Sequence, residues 1–324
     1  MRRYVNLFFP RHMNKMKIIV NPEYSFLSGF IKKLPERFPE EGEVVYEGRN
    51  VLKRYQVQGV DMVVKSFKIP IFINKVAYSF FRKSKACRSY EHALEILRRG
   101  GNTPAPVAYI EEYRHGLLYA SFYVSVFNSR AVTIREYMDG SRMDAEDIWR
   151  SFVRFTIGMH RSGILHIDYS PGNVLMEREA DGSYMYSLID INRLRFKKVS
   201  SEDVLRCFDR MALSVDVSTR LAEIYAEECS LDKAETVRKM NAYGDRFFLK
   251  RTVKEAAKQI KREKGKRMLL VGPLQQYFFL RWLRMNFLHG RKENCLYRKE
   301  RELYLTYLKP KDDRQVLERK YHYT

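Results

Sequence analysis

Apolar positions along the chain change their period at identifiable points, and each change predicts an element. From Glu43 to Phe67 they alternate in short runs, Val44-Val45-Tyr46, Val51 to Gln58 and Met62 to Phe67. Turn residues at Glu47-Gly48-Arg49-Asn50 and Gly59-Val60-Asp61 separate these runs, so the stretch reads as three strands. From Ser84 to Arg99 the period lengthens. Ala86, Tyr90, Ala93, Leu94 and Leu97 recur at three- and four-residue steps, which predicts an amphipathic helix stopped by Gly100-Gly101. Thr103-Pro104-Ala105-Pro106 is an extended connector. Val107 to Tyr113 and Leu117 to Phe127 read as a hairpin around His115-Gly116, with its chain leaving at Phe127-Asn128-Ser129. Asp144 to Arg161 predicts a second long helix, ended by Gly163. Before residue 41 the pattern says less: Met16 to Val20 resembles a strand, and Ser25 to Leu34 a short helix ending ahead of Pro35. After residue 200, Ser200-Ser201-Glu202 is placed to cap a helix through Met211. Leu221 to Cys229 and Lys233 to Met240 also look helical. Ala256 to Met268 reads as a basic helix, followed by an apolar segment over 269–287 and a tail mixing Tyr and Leu with Lys and Arg.

Between the second long helix and these later helices lies a stretch whose chemistry outweighs its pattern. Residues 165–175 read Leu-His-Ile-Asp-Tyr-Ser-Pro-Gly-Asn-Val-Leu, so His166, Asp168 and Asn173 spell H-x-D-x-x-x-x-N. Val174-Leu175-Met176 then reads as a short buried strand, Asp181-Gly182 as a hairpin turn, and Tyr184 to Ile189 as the returning strand that ends at Asp190. Such an arrangement suits phosphoryl transfer. That reaction needs a carboxylate to orient the acceptor hydroxyl and hard oxygen ligands for a metal that neutralises the phosphates. Asp168 is the candidate catalytic carboxylate, with Asn173 and Asp190 the candidate magnesium ligands. Val63-Val64-Lys65 places a lysine inside an apolar strand, which fits a phosphate-gripping lysine, although taken alone it favours an outward lysine on an edge strand. Glu91, on the helix predicted from 84 to 99, is its candidate counter-ion, with Glu95 one turn on as the competitor. Gly48, the one glycine of the first turn, stands where a phosphate-covering loop would lie, and Arg49 would add charge there.

The chain has 324 residues, 45% of them hydrophobic and 14% aromatic, which excludes a disordered chain and supports a sizeable core. Its net charge is +21; from Asn241 to Thr324 there are 22 Lys and Arg against 9 Asp and Glu. Such a surface favours an anionic partner. No zinc motif or RNA-binding signature accompanies the charge, so specific nucleic-acid binding is not expected. Cys87, Cys207, Cys229 and Cys295 form no C-x-x-C pair and read as reduced thiols. The longest apolar run, Leu117 to Phe127, is shorter than the roughly 20 residues a spanning helix needs, and no signal peptide is visible.

Taken in order, Lys65, Glu91, Asp168, Asn173 and Asp190 resemble the kinase-like superfamily. Within it the chain is similar to the Kdo/WaaP lipopolysaccharide kinases of Gram-negative bacteria over about residues 41–215. The likeness rests on Val63 to Phe67, on Arg88 to Leu97 leading into Thr103 to Pro106, on Leu165 to Leu175, and on Leu188 to Arg193. It implies an α+β, two-lobed protein-kinase-like fold, with a small β-rich N-lobe carrying one helix over 41–128 and a larger, mainly helical C-lobe over 129–250. Residues 1–40 would be an N-terminal extension and 251–324 a basic helical segment. It also implies ATP and Mg²⁺ as cofactors. Asp168 would be the base, Asn173 and Asp190 the metal ligands, and Lys65 the phosphate grip with Glu91 as its partner. The acceptor would be a Kdo or heptose hydroxyl of a lipopolysaccharide or Kdo-lipid A glycolipid, met at the anionic cytoplasmic face of the inner membrane. The departures are Ile167 in place of the arginine of H-R-D, Asn192 in place of the glycine of D-F-G, and no A-P-E motif. Ile167 and the missing A-P-E count against a eukaryotic-type protein kinase, while Asn192 bears on whether there is a second metal site. Another small-molecule or atypical protein kinase of this fold, and a non-catalytic pseudokinase scaffold, remain the competing readings.

Overall fold

The structure, a computed structural model, describes residues 5–8, 14–69, 71–138, 145–212 and 215–247. The basic helix and apolar segment expected beyond residue 250, and the tail after them, lie outside the described residues. Those described fall into two compact units: residues of Met1–Val132 with Glu177–Arg195, and residues of Thr133–Met176 with Phe196–Thr324.

The first unit is organised on a seven-stranded antiparallel sheet. Its strands are β1 (Val5–Phe8), β2 (Asn14–Val20), β3 (Glu43–Glu47), β4 (Val51–Val57), β5 (Val60–Ser66), β6 (Pro106–Arg114) and β7 (Leu117–Val126), in the order β1-β2-β6-β7-β5-β4-β3. The predicted hairpin closes where expected. His115 and Gly116 both take positive φ, 51° and 76°, the pairing a tight two-residue turn needs. Strand alternation decides what each face carries. Lys53, Tyr55, Met62 and Val64 are buried on one face, where cross-strand registers set Lys53 opposite Val64 and Tyr55 opposite Met62. Lys65 points to the other face, between Leu52 and Tyr123.

Each face has its helix. Helix α1 (Ser28–Arg37) buries Ile31 and Leu34 against the first face, along with Phe38 just past its end. Each such aliphatic burial stabilises by about 1.5–3 kcal/mol. The helix does not stop before Pro35, as the sequence suggests; Pro35 lies inside it. Proline forfeits one backbone donor, and burial of Leu34 before it and Phe38 beyond it holds the last turn. Just past this end, Lys53 Nζ donates to Phe38 O, Pro39 O and Glu41 O at 2.6, 3.0 and 3.0 Å. A short helix α2 (Phe72–Val76) follows β5. Helix α3 (Lys85–Arg98) packs on the second face, the one Lys65 occupies; its Tyr90 ring lies 5.4 Å from Tyr109 of β6. Ser84 caps it by accepting from Cys87 N–H.

The second unit is mainly helical. Helix α4 (Glu146–Arg161) buries Ile148, Trp149, Phe152, Val153 and Ile157. Helix α5 (Ser201–Cys207) starts at Ser200 in a reciprocal capping box with Asp203, and ends sooner than the Met211 expected. Helix α6 (Val215–Cys229) and a helix over 233–247 follow. Cys87, Cys207 and Cys229 are free thiols. Among the described residues no helix is long and apolar enough to cross a membrane.

Candidate active site

In the sheet unit, Lys65 Nζ donates to Asp190 Oδ1 at 2.6 Å across 125 residues of sequence. Both side chains are largely enclosed, 16% and 33% exposed. Asp190 follows the strand Tyr184–Leu188, which the predicted turn delivers: Gly182 has φ of 85°, and Glu179 N–H donates to Ser183 O. Asp190 itself has φ of 52°, a left-handed conformation that aspartate tolerates better than most residues. Two contacts fix this bend. Asn192 Nδ2 donates to Asp190 Oδ1 at 2.6 Å, and His92 Nδ1 donates to Ile191 O at 2.6 Å. Helix α3 is thereby tied to the Asp190 loop through His92. Burial holds the His92 imidazole below its usual range, so the neutral ring serves as the donor.

The structure does not bring Lys65 and Glu91 together. Glu91 accepts from Lys83 Nζ at 2.7 and 2.8 Å, while Glu95, the competitor, pairs with Arg98 and Arg99. The physical reason is charge arithmetic. Asp190 supplies Lys65 with a carboxylate already fixed by the strand end, and Lys83, just before α3, is within reach of Glu91. Gly48 lies in the β3–β4 turn, where its N–H donates to Asn50 O at 3.2 Å.

Further cations gather around Lys65. The ammonium of Lys85 is held below the usual lysine range by burial first, and then by repulsion from Arg49, Arg193 and Arg88, against which Asp190 acts in the opposite sense. Lys65 and Lys85 both lie over the buried Phe67 ring, at 5.4 and 5.9 Å. Lys85 thus shares the Phe67 ring with Lys65 and lies in the field of Arg49, Arg88, Arg193 and Asp190, an arrangement suited to a polyanion such as a triphosphate.

In the helical unit, Asp168 lies in the loop after Ile164–His166. The buried His166 accepts the Asp168 N–H at Nδ1, 3.1 Å away, and Asn173 Nδ2 donates to Asp168 O at 2.8 Å. Tyr169 anchors the loop: its hydroxyl bonds Thr156 Oγ1 at 2.8 Å and its ring stacks on Phe152. Gly172 lies so close under Arg135 that a Cβ would sit 2.0 Å from the guanidinium. The Asp168 carboxylate accepts from Arg210 NH1 at 2.6 Å. Arg210 also pairs with Asp209 and lies over Phe247, 4.5 Å from its centroid. Arg210, His92 and Lys85 escaped the sequence reading. Only Lys85 left a local signal there, in the run of basic residues ahead of Glu91.

For a metal, Asp190 of the sheet unit offers carboxylate oxygens; in the helical unit, taken by itself, Asn173 offers a carboxamide oxygen, its amide end being engaged by Asp168 O. Hard oxygen donors of this type fit Mg²⁺. Among the described residues no cluster of three or more His, Cys, Asp or Glu is placed to hold a metal.

The sequence model of the lipopolysaccharide kinase (Kdo/WaaP) family matches residues 31–243. The chain belongs to this family. It is therefore a kinase of lipopolysaccharide biosynthesis with a protein-kinase-like fold, a phosphotransferase whose acceptor is an alcohol group. No curated protein sequence matches it. Solved structures similar to this kinase include WaaP in complex with acyl carrier protein, 16% identical, with 69% of this chain and 95% of that one covered and a TM-score of 0.47. WbdD is 17% identical over 60% of this chain and 43% of its own, with a TM-score of 0.37. A glucosamine kinase in complex with glucosamine, ADP and inorganic phosphate is 12% identical over 91% and 88%, with a TM-score of 0.31.

Proposed function

We propose that the kinase transfers the γ-phosphate of ATP directly and in line to a sugar hydroxyl, Kdo or heptose, of the lipopolysaccharide inner core, working as a peripheral protein at the cytoplasmic face of the inner membrane. The observation that carries this reading is the Lys65–Asp190 pair at 2.6 Å, with Lys85, Arg49, Arg88 and Arg193 in electrostatic reach. Lys65 grips the phosphates, which compete with Asp190 for its ammonium. Gly48 and Arg49 cover them from the β3–β4 turn. Asp168 orients the sugar hydroxyl and accepts its proton. Asn173 and Asp190 would hold Mg²⁺, which would supply charge neutralisation on the phosphates. Kdo and phosphorylated heptose are themselves anionic, in keeping with a chain of net charge +21.

The test is transfer of labelled γ-phosphate from Mg-ATP to purified Kdo-lipid A and to heptosylated core. Label in one glycolipid names the acceptor. No label in either, with Mg-ATP still raising the melting temperature, refutes the sugar assignment and leaves the nucleotide site standing.

A further inference from the structure

Residues 69–81, between β5 and α3, have no part in the site described above, yet the composition around them is unlike the rest of the sheet unit. From Ser66 to Tyr90 the chain carries Lys68, Lys75, Arg82, Lys83, Lys85 and Arg88 and not one Asp or Glu. Within it Ile69, Ile71, Phe72, Ile73, Phe80 and Phe81 are 47 to 81% exposed. Single exposed apolar residues are ordinary; six within thirteen positions, in a segment without acidic residues, are not.

The segment is tied down rather than loose. Helix α2 runs on into a wider helical turn over Ala77–Phe81. There Ser79 Oγ donates to Lys75 O at 2.7 Å and accepts the Leu118 N–H of β7 at 2.8 Å. Lys75 lies over the Tyr119 ring at 5.7 Å, and Arg82 N–H closes the turn on Ala77 O. The polar side of the segment faces β7, while its phenylalanines and isoleucines are presented outward, flanked by the exposed Lys68, Arg82 and Lys83.

We infer that Ile69–Phe81 is a membrane-docking element that seats its aromatic side in the interface of an anionic lipid bilayer. Burying apolar side chains among acyl chains while basic neighbours meet lipid phosphates is the energetic pattern of interfacial segments. Charge complementarity selects this occupant. A second copy would bring the same basic segment without acidic residues, and residues 241–324 of this chain carry 22 Lys and Arg against 9 Asp and Glu, so both repel it. For its purpose, holding the enzyme where a lipid-borne acceptor lies, the inference rests on the proposed function; its test does not use turnover.

The full chain is sedimented with vesicles of phosphatidylglycerol and phosphatidylcholine, and with vesicles of phosphatidylcholine alone. Binding to the anionic vesicles is expected. A chain carrying Phe72→Ala, Phe80→Ala and Phe81→Ala should bind them about tenfold more weakly or worse. One carrying Lys68→Gln and Arg82→Gln should bind more weakly and lose binding less steeply with added salt. All three chains should melt within a few degrees of one another, since the substituted side chains are exposed. The inference is overturned if the wild type stays in the supernatant, or if both variants bind as the wild type does. It is overturned equally if the phenylalanine variant unfolds, because those rings would then pack against the chain itself. Phosphate transfer to a detergent-solubilised acceptor, measured in parallel, separates the two proposals. Transfer without vesicle binding removes the docking element and keeps the kinase; vesicle binding without transfer does the reverse.

Discussion

Lys65 and Asp168 are both charged groups held ready, and they are held by different means. The ammonium of Lys65 is balanced by Asp190, 125 residues away, beside Lys85, which Arg49, Arg88 and Arg193 repel. Its position is set by charge. The Asp168 loop is fixed chiefly through its backbone, by His166 two residues before it and Asn173 five after, with Tyr169 docked on helix α4. Arg210 meets its carboxylate. A region held by mutual charge is tuned to admit an anion that relieves the repulsion. A region held by short-range hydrogen bonds keeps one geometry whether or not a ligand is present, as an acceptor-orienting carboxylate requires.

The most severe way to test this contrast is Asp168→Ala. Phosphate transfer should fall about a thousandfold, within the range for losing a general base, while calorimetric affinity for Mg-ATP is unchanged. A matching drop in nucleotide affinity would break the comparison. Acid should reach the helical region next. His160 of α4 is buried against Tyr225, and desolvation pushes its imidazole from 6.5 down to about 4. The folded form disfavours the proton, so its full stability is present above pH 6.5 and is lost as the pH falls towards 4. At about 1.4 kcal/mol per pH unit, roughly 3 kcal/mol goes over that window. Melting curves from pH 7 to 4 should steepen accordingly, and His160→Gln should flatten them. Lys65→Met comes third. Removing one charged hydrogen-bond donor should raise the KM for ATP by about ten- to a hundredfold, and added salt should weaken ATP binding to the wild type more than to the variant. The smallest effect belongs to Arg210→Gln, expected to lower kcat about tenfold with KM for ATP unchanged, and to displace the pH profile of kcat. Arg210→Lys should restore part of the loss, since it keeps charge but not the planar fork. An unshifted pH profile would reduce Arg210 to a structural role.

What the sequence shows and what it hides follow the same division. The H-x-D-x-x-x-x-N loop is legible because its contacts span five residues, so spacing stands in for geometry. The sheet strands are legible from alternation, and the His115-Gly116 turn from its residue types. Lys65 was legible as a lysine in an apolar strand, but its partner was not. Glu91 and Glu95 both sit on the expected helix, and only the fold decides that Lys83 and the two arginines claim them. Arg210 stands 42 residues from Asp168 with no motif linking them. Pro35 misled for the opposite reason. Its local rule ends a helix, and tertiary burial of Leu34 and Phe38 overrode the rule.

Lys53 suggests a practical use. In a chain covered with reactive amines, this one is clasped by three carbonyls and 8% exposed. Reductive methylation should therefore spare it while surface lysines are consumed, and its slow labelling would time the breathing of the sheet. Mass spectrometry of that single site, with and without nucleotide, would turn a structural clasp into a clock.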